Sequence, residues 1–181
     1  MLIKAYPIED HKNNKKLIRD IKNYQKNFPC CKNFPTCPHP RFQTDPRLHL
    51  HLPALASSYF DNLKKYLKDT HPSNDRPEYT RVHFKMWAFI SKDKFTSKYW
   101  HQHALFKDNT LEISSLMYLT ETKMGTMFDV KHLKIYLKPQ LNTWFFWPSH
   151  LWHAAAITKA NKKDRITIAT AIILKPISLK M

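Results

Sequence analysis

Apolar residues recur along the chain with two different periods, and the period changes near Tyr79. Before it, Leu17, Ile18, Ile21, Tyr24 and Phe28 fall three and four residues apart. That spacing gives one apolar face to a helix from about His11 to Asn27, with Asp10 placed to cap it. Pro53 opens a second predicted helix, about Ala54 to Asp69, whose stripe is Leu55, Tyr59, Leu63, Tyr66 and Leu67. Between the two, residues 28–40 carry too many prolines for regular structure. Leu48, Leu50 and Leu52 then alternate with His49 and His51, which predicts an amphipathic edge strand or extended loop.

From Tyr79 onward the period is two. Residues 81–91 alternate around Trp87 as a long strand. After a turn comes a strand end carrying His101 and His103. Further strands are predicted at 113–119, 126–129, 133–137, 143–147, 152–158 and 165–174. Short, regularly spaced strands behind two helices predict a mostly β chain with flanking helices (α+β): a distorted double-stranded β-helix, jelly-roll or cupin-like, preceded by two N-terminal helices. The whole chain, 1–181, reads as one domain, with a helical and Pro/Cys-rich part over 1–78 and the jelly-roll core over 79–175. Gly125, the chain's one glycine, falls in the turn Lys123-Met124-Gly125-Thr126, where a positive φ is expected.

Composition narrows the setting. No apolar run approaches the roughly 20 residues of a membrane helix, and the N-terminus lacks the apolar block of a signal peptide, so a cytoplasmic location is expected. With one glycine, Gly-rich phosphate loops are excluded. The formal net charge of +16 implies an anionic partner, nucleic acid or an acidic protein or metabolite. Lysines on solvated helix faces (Lys12, Lys15, Lys16, Lys22, Lys26, Lys64, Lys65 and Lys68) are the simpler account of that excess. All three cysteines, Cys30, Cys31 and Cys37, lie in the proline-dense stretch with His39 nearby. Their spacing matches no standard zinc knuckle, and reduced thiols fit as well as a structural zinc.

The chemistry concentrates later in the chain. His101 and His103, two apart, share one face of an extended strand, and a distant His153 can complete one face of a transition-metal site. Imidazole accepts Fe(II), Zn(II), Cu and Ni alike. Half-exposed structural histidines beside Trp100 and Trp152 are the alternative. Arg165 opens the apolar strand Ile166-Thr167-Ile168-Ala169. A guanidinium pointing into a barrel must be paired, and its fork suits a dicarboxylate, with Thr167 adding a hydroxyl from the same face. A surface pair with Asp164 is the competing account. His49 and His51 form a second H-x-H that needs no metal, and His132 and His150 are not expected as ligands.

In order, Trp87, His101-Gln102-His103, Ser114-Ser115-Leu116-Met117-Tyr118-Leu119, Gly125-Thr126-Met127-Phe128-Asp129, Pro148 to His153 and Arg165-Ile166-Thr167 resemble the Fe(II)/2-oxoglutarate-dependent oxygenase superfamily, most closely the phage and bacterial members. The resemblance spans Gln43 to Ile173. It implies Fe(II), 2-oxoglutarate as co-substrate and O2, with Arg165, Thr167 and Tyr118 holding the far carboxylate. It also implies a host-cytoplasmic setting if the chain is phage-encoded. His103 stands where the superfamily carries a carboxylate. A three-His site (His101, His103, His153), a carboxylate from elsewhere (Asp129, less well Asp108) and a degenerate site all remain open.

Three functions follow. The first is a dioxygenase hydroxylating a protein side chain or small molecule while 2-oxoglutarate is decarboxylated to succinate, a nucleic-acid substrate being less favoured. The second is a non-catalytic basic jelly-roll module binding nucleic acid or an acidic partner. The third is a zinc-stabilised interaction protein using Cys30, Cys37 and His39. Substrate and oligomeric state are not encoded in any recognisable pattern.

Overall fold

The computed structural model describes residues 3–8, 14–29, 43–71, 78–91, 100–105, 109–156 and 164–177. In chain order the elements are β1 (Lys4–Pro7), α1 (Asn14–Asn27), α2 (Leu48–His51), α3 (Pro53–Thr70), β2 (Tyr79–Ser91), β3 (Leu111–Tyr118), β4 (Thr126–Val130), β5 (Leu133–Leu137), β6 (Thr143–Pro148), β7 (Trp152–Ala155) and β8 (Arg165–Pro176). Two antiparallel sheets result: a five-stranded one in the order β1-β6-β3-β8-β2 and a three-stranded one in the order β5-β4-β7. Asp10, the three cysteines, His39, Lys12, Asp108 and the turn after residue 91 (92–99) lie outside the described residues.

Alternation in the large sheet builds two separate layers. Odd positions of β3 (Ile113, Met117) and even positions of β8 (Ile166, Ile168, Ile172, Leu174) pack with Met86, Ala88 and Ile90 of β2 and Trp144 and Phe146 of β6 against the helices. The helices contribute Ile21 and Tyr24, Leu48, and Leu55, Tyr59, Leu63 and Tyr66. Tyr59 sits at the centre, stacked on Phe84 with ring centroids 5.1 Å apart and meeting Trp144 edge-on at 5.3 Å. The other parity points the opposite way. Leu116 and Tyr118 of β3 and Phe145 and Trp147 of β6 pack with Phe128 of the small sheet, forming the layer between the sheets. The candidate site lies in that layer.

The predicted helices and most predicted strands are present, with ends shifted by a few residues. Three expectations are corrected and one strand, β1, is added. Residues 48–51 form the short helix α2, with Leu48 buried and Leu50 exposed. A two-residue leucine alternation is ambiguous over so short a span, and a turn of helix feeding α3 through Pro53 buries Leu48 while still leaving Leu50 outside. The N-terminal residues, read only as lacking a leader, form β1, an edge strand pairing Lys4–Pro7 with β6. Among the described residues 100–105, His101 and His103 lie in no strand, and the ladder there is a single bridge, His101 to His153. Lastly, Gly125 has no positive φ. Among the described residues the left-handed ones are Asn109, Lys131, His132 and Asn142, and the consecutive pair Lys131-His132 makes the tight β4–β5 hairpin.

Gly125 is required by close approach. A Cβ there would lie 2.1 Å from the Leu137 carbonyl oxygen and 2.8 Å from a ring carbon of Tyr136. The Gly125 carbonyl also accepts the Ala156 amide, so the turn is held from both sides. Gly125→Ala should therefore destabilise the fold by about 1–3 kcal/mol, as overpacking does, measured by urea denaturation. A variant as stable as the parent would refute the close-approach account.

Candidate metal centre and anion-binding arginine

His101, His103 and His153 converge: one potential ligand atom from each lies within 4.8 Å of the other two. Backbone hydrogen bonds bring them together. The His101 amide donates to the His153 carbonyl at 3.0 Å, and the His153 amide donates back to His101 at 2.9 Å. The His103 amide then donates to Ser149 at 3.1 Å, and the Leu105 amide to the Glu112 carboxylate at 2.6 Å. An irregular segment is thereby tied down at three points: on β7, on the turn before it and on β3. The rings are enclosed by aromatics: Trp87 meets His103 edge-on at 5.4 Å, Trp147 meets His153 at 5.2 Å, and Phe128 lies 5.8 Å from His153.

Protonation suits ligation. Burial pushes His153 down from the ordinary 6.5 to about 3, helped by the neighbouring His101. Burial, then His153 and His101, likewise hold His103 well below its ordinary value. Both rings are thus neutral at physiological pH, the form that coordinates metal. His153 Nδ1 donates to the Leu151 carbonyl at 2.9 Å. This fixes the tautomer and leaves the Nε2 lone pair for coordination, the usual outer-shell device of metal-binding histidines.

Asp129 is not brought to this cluster. Its strand neighbour Phe128 faces the layer between the sheets, so Asp129 faces outward, where Lys134 holds it in an ion pair. Lys134 in turn lies over the Trp100 ring, 4.3 Å from its centroid. Among the described residues the cluster has three imidazoles and no carboxylate. His132 sits exposed in the β4–β5 turn, His150 is exposed, and His49 and His51 lie on α2 against Phe84 and Tyr24.

Arg165 is 4% exposed and sits on the inward face of β8. Asp164, the proposed surface partner, is instead bound by Lys22 of α1 at 2.8 Å. Arg165 Nε donates to the Met124 carbonyl at 2.9 Å, and Nη1 reaches Thr167 Oγ1 at 3.5 Å. Its guanidinium lies over the Tyr118 ring, 5.3 Å from the centroid, and the Tyr118 hydroxyl is bonded to Thr126 at 2.7 Å. Burial raises the Tyr118 hydroxyl above its ordinary value, with the Arg165 charge opposing. Among the described residues no carboxylate pairs with Arg165. A buried cation so placed favours an anionic guest.

Sequence reasoning missed two groups in this layer. Ser91, the register partner of Arg165, is 1% exposed with an unpartnered hydroxyl among the described residues, and the Trp147 indole N–H is likewise buried and unpartnered. Parity could have found both: Ser91 follows Trp87 and Phe89 on one face, and Trp147 shares the inward parity of Phe145.

No protein-family model and no curated protein matches this sequence. Solved structures do match. EvdO2 from Micromonospora carbonacea var. aurantiaca, complexed with 2-oxoglutarate, aligns with TM-score 0.65 at 11% identity, covering 99% of this chain and 89% of that one. The viral collagen prolyl hydroxylase vCPH from Paramecium Bursaria Chlorella virus-1 aligns at 0.57 and 16% identity, over 97% of this chain and 91% of that one. A Pseudomonas putida prolyl-4-hydroxylase aligns at 0.57 and 10% identity, over 97% and 93%. At such identities the likeness is one of fold: the chain has the jelly-roll architecture of the Fe(II)/2-oxoglutarate oxygenases.

The depressed histidines set the acid sensitivity of the metal-free protein. Above pH 6.5 both folded and unfolded states hold neutral imidazoles. Below it the unfolded chain binds protons that the folded chain refuses, so stability falls as pH falls. For His153 the loss should run from about 6.5 down to about 3, at roughly 1.4 kcal/mol per pH unit for each such histidine. Denaturation midpoints of the metal-free protein between pH 7 and 5 measure this, and His153→Gln should flatten the slope. An unchanged slope would contradict the neutral assignment.

Proposed function

We propose that this chain is an Fe(II)- and 2-oxoglutarate-dependent dioxygenase that hydroxylates a protein side chain or small molecule. The observation that carries the reading is a three-histidine cluster in the same inter-sheet layer as a buried arginine that has no carboxylate partner among the described residues. The likeness to EvdO2 in complex with 2-oxoglutarate supports it. When bound, Fe(II) with 2-oxoglutarate and O2 supplies oxidation of a C–H bond coupled to decarboxylation of the co-substrate to succinate.

The chain's own contribution is placement. His101, His103 and His153 would hold the metal through three neutral nitrogens, leaving its remaining positions for co-substrate and O2. Arg165, backed by the Tyr118 ring and steered by the Met124 carbonyl, would present its remaining N–H groups to the far carboxylate, with Thr167 beside it. Trp87, Trp147 and Phe128 would shield a metal held there from water on the side of His103 and His153. The donor set fits a divalent transition metal, with one difference from the superfamily norm: it brings no negative charge. Metal retention should be correspondingly weak.

Anaerobic Fe(II) with 2-oxoglutarate should give the visible charge-transfer band of the chelated complex. His153→Ala should remove both the band and metal binding. Arg165→Ala should keep the metal but weaken 2-oxoglutarate binding by roughly 100-fold, the scale of losing one partner of a buried charge pair. Absence of the band in the parent protein, with zinc bound through thiols instead, would overturn the proposal. His103→Asp restores the missing anion and should tighten Fe(II) binding at least tenfold by isothermal titration; unchanged affinity would mean His103 is not a ligand.

A further inference from the structure

The small sheet ends in β5, and its outer edge has no strand beside it among the described residues. Along Leu133, Lys134, Ile135 and Tyr136 the side chains are exposed, with Leu133 at 69% and Ile135 at 43%. Register shows which way they face. Ile135 is opposite Phe128, which is opposite His153. Cross-strand partners share a face, so Leu133, Ile135 and Leu137 stand on the inward side, in rows continuous with the histidine cluster. The layer between the sheets therefore runs out past Phe128 onto an open apolar ledge bordered by unpaired backbone.

The ledge is also uniformly cationic. Residues 131–141 include Lys131, His132, Lys134 and Lys138 and no acid. The nearest carboxylate, Asp129, is taken up by Lys134. Edge lysines ordinarily prevent strand-to-strand association of identical chains, and here two copies would bring like charges together. The same charges attract an acidic strand. Exposed apolar side chains on the inward side of an open edge match an extended peptide better than a nucleic acid, which gains nothing from unpaired amides; the exposed rings Tyr136 and Trp152 stand on the sheet's other face.

We propose that β5 is a docking edge for an extended acidic polypeptide, which adds to the small sheet as a fourth strand. Its alternate apolar side chains rest on Leu133 and Ile135, and its carboxylates lie against Lys131 and Lys138. An added strand would lie one inter-strand spacing, about 4.8 Å, beyond β5 and roughly 14 Å from β7, so the polypeptide beyond it must turn across the ledge to reach the histidines. In the oxygenase reading, on which this assignment of substrate class rests, the docked segment flanks the residue to be modified. The docking itself needs neither metal nor co-substrate.

The test uses the full chain without added metal or 2-oxoglutarate, so a failed docking is distinguishable from a failed metal site. The probe is a fluorescent octapeptide alternating glutamate and valine, followed by anisotropy at low and high salt. Saturable binding is expected, weakened by salt and at least tenfold by Ile135→Asp or by the pair Lys131→Glu and Lys138→Glu, with slowed amide exchange over 133–137. The same peptide with two central prolines should not bind, because it cannot pair with the edge. No binding of the parent peptide overturns the proposal, as does equal binding of the proline peptide or of an eight-nucleotide oligothymidylate insensitive to Ile135→Asp. A β5-dependent dimer seen by sedimentation would also overturn it. Ile135 and Leu133 lie outside the core, and the lysine pair gives an independent variant on the outer charge.

Discussion

The reciprocal hydrogen bonds between His101 and His153 are the constraint on which the centre depends. Each residue supplies an imidazole, and each is positioned by the other's backbone. A residue in an irregular segment would otherwise sample many orientations, and fixing its backbone alone costs about 1–2 kcal/mol. The bridge, with the His103 and Leu105 amide bonds after it, transfers that ordering to β7, the turn before it, and β3. Three rings can then stay close, with the Leu151 carbonyl setting the tautomer of His153.

A second constraint is the division of labour across the large sheet. The same strands serve the helix-covered core with one parity and the inter-sheet layer with the other. Ile166 and Ile168 are buried beneath the helices while Arg165 and Thr167 face the opposite way. Rigidity in the first layer is therefore inherited by the second. Tyr118 joins the two sheets at this point: its ring supports Arg165 and its hydroxyl bonds Thr126 of β4.

Much of this was legible in the residues. The switch of period at Tyr79, the stripe from Leu55 to Leu67 and the two-residue alternation of β8 each reflect burial on one face, which sequence records directly. His101, His103 and His153 could be grouped by type and order, and Arg165 by the cost of burying it. What escaped had physical reasons. The leucine alternation over 48–52 fits a strand or a helical turn, and only packing against β2 decides. The role of Gly125 lies in the approach of Leu137 and Tyr136 from another strand, invisible locally. Asp129 was plausible as a ligand until register placed Phe128, its neighbour, on the inward face and Asp129 therefore outside. Ser91 and Trp147 gave no signal by type, because serines and indoles in strands are common.

The ion pair between Lys22 and Asp164 has a consequence of its own. Asp164 is the residue adjacent to Arg165 and the most accessible acid by chain distance. Adjacent strand positions face opposite sides, and Lys22 of α1 holds Asp164 at 2.8 Å on the helix side. The acid nearest to Arg165 along the chain is therefore committed to a helix, and the guanidinium keeps its charge without that neighbour.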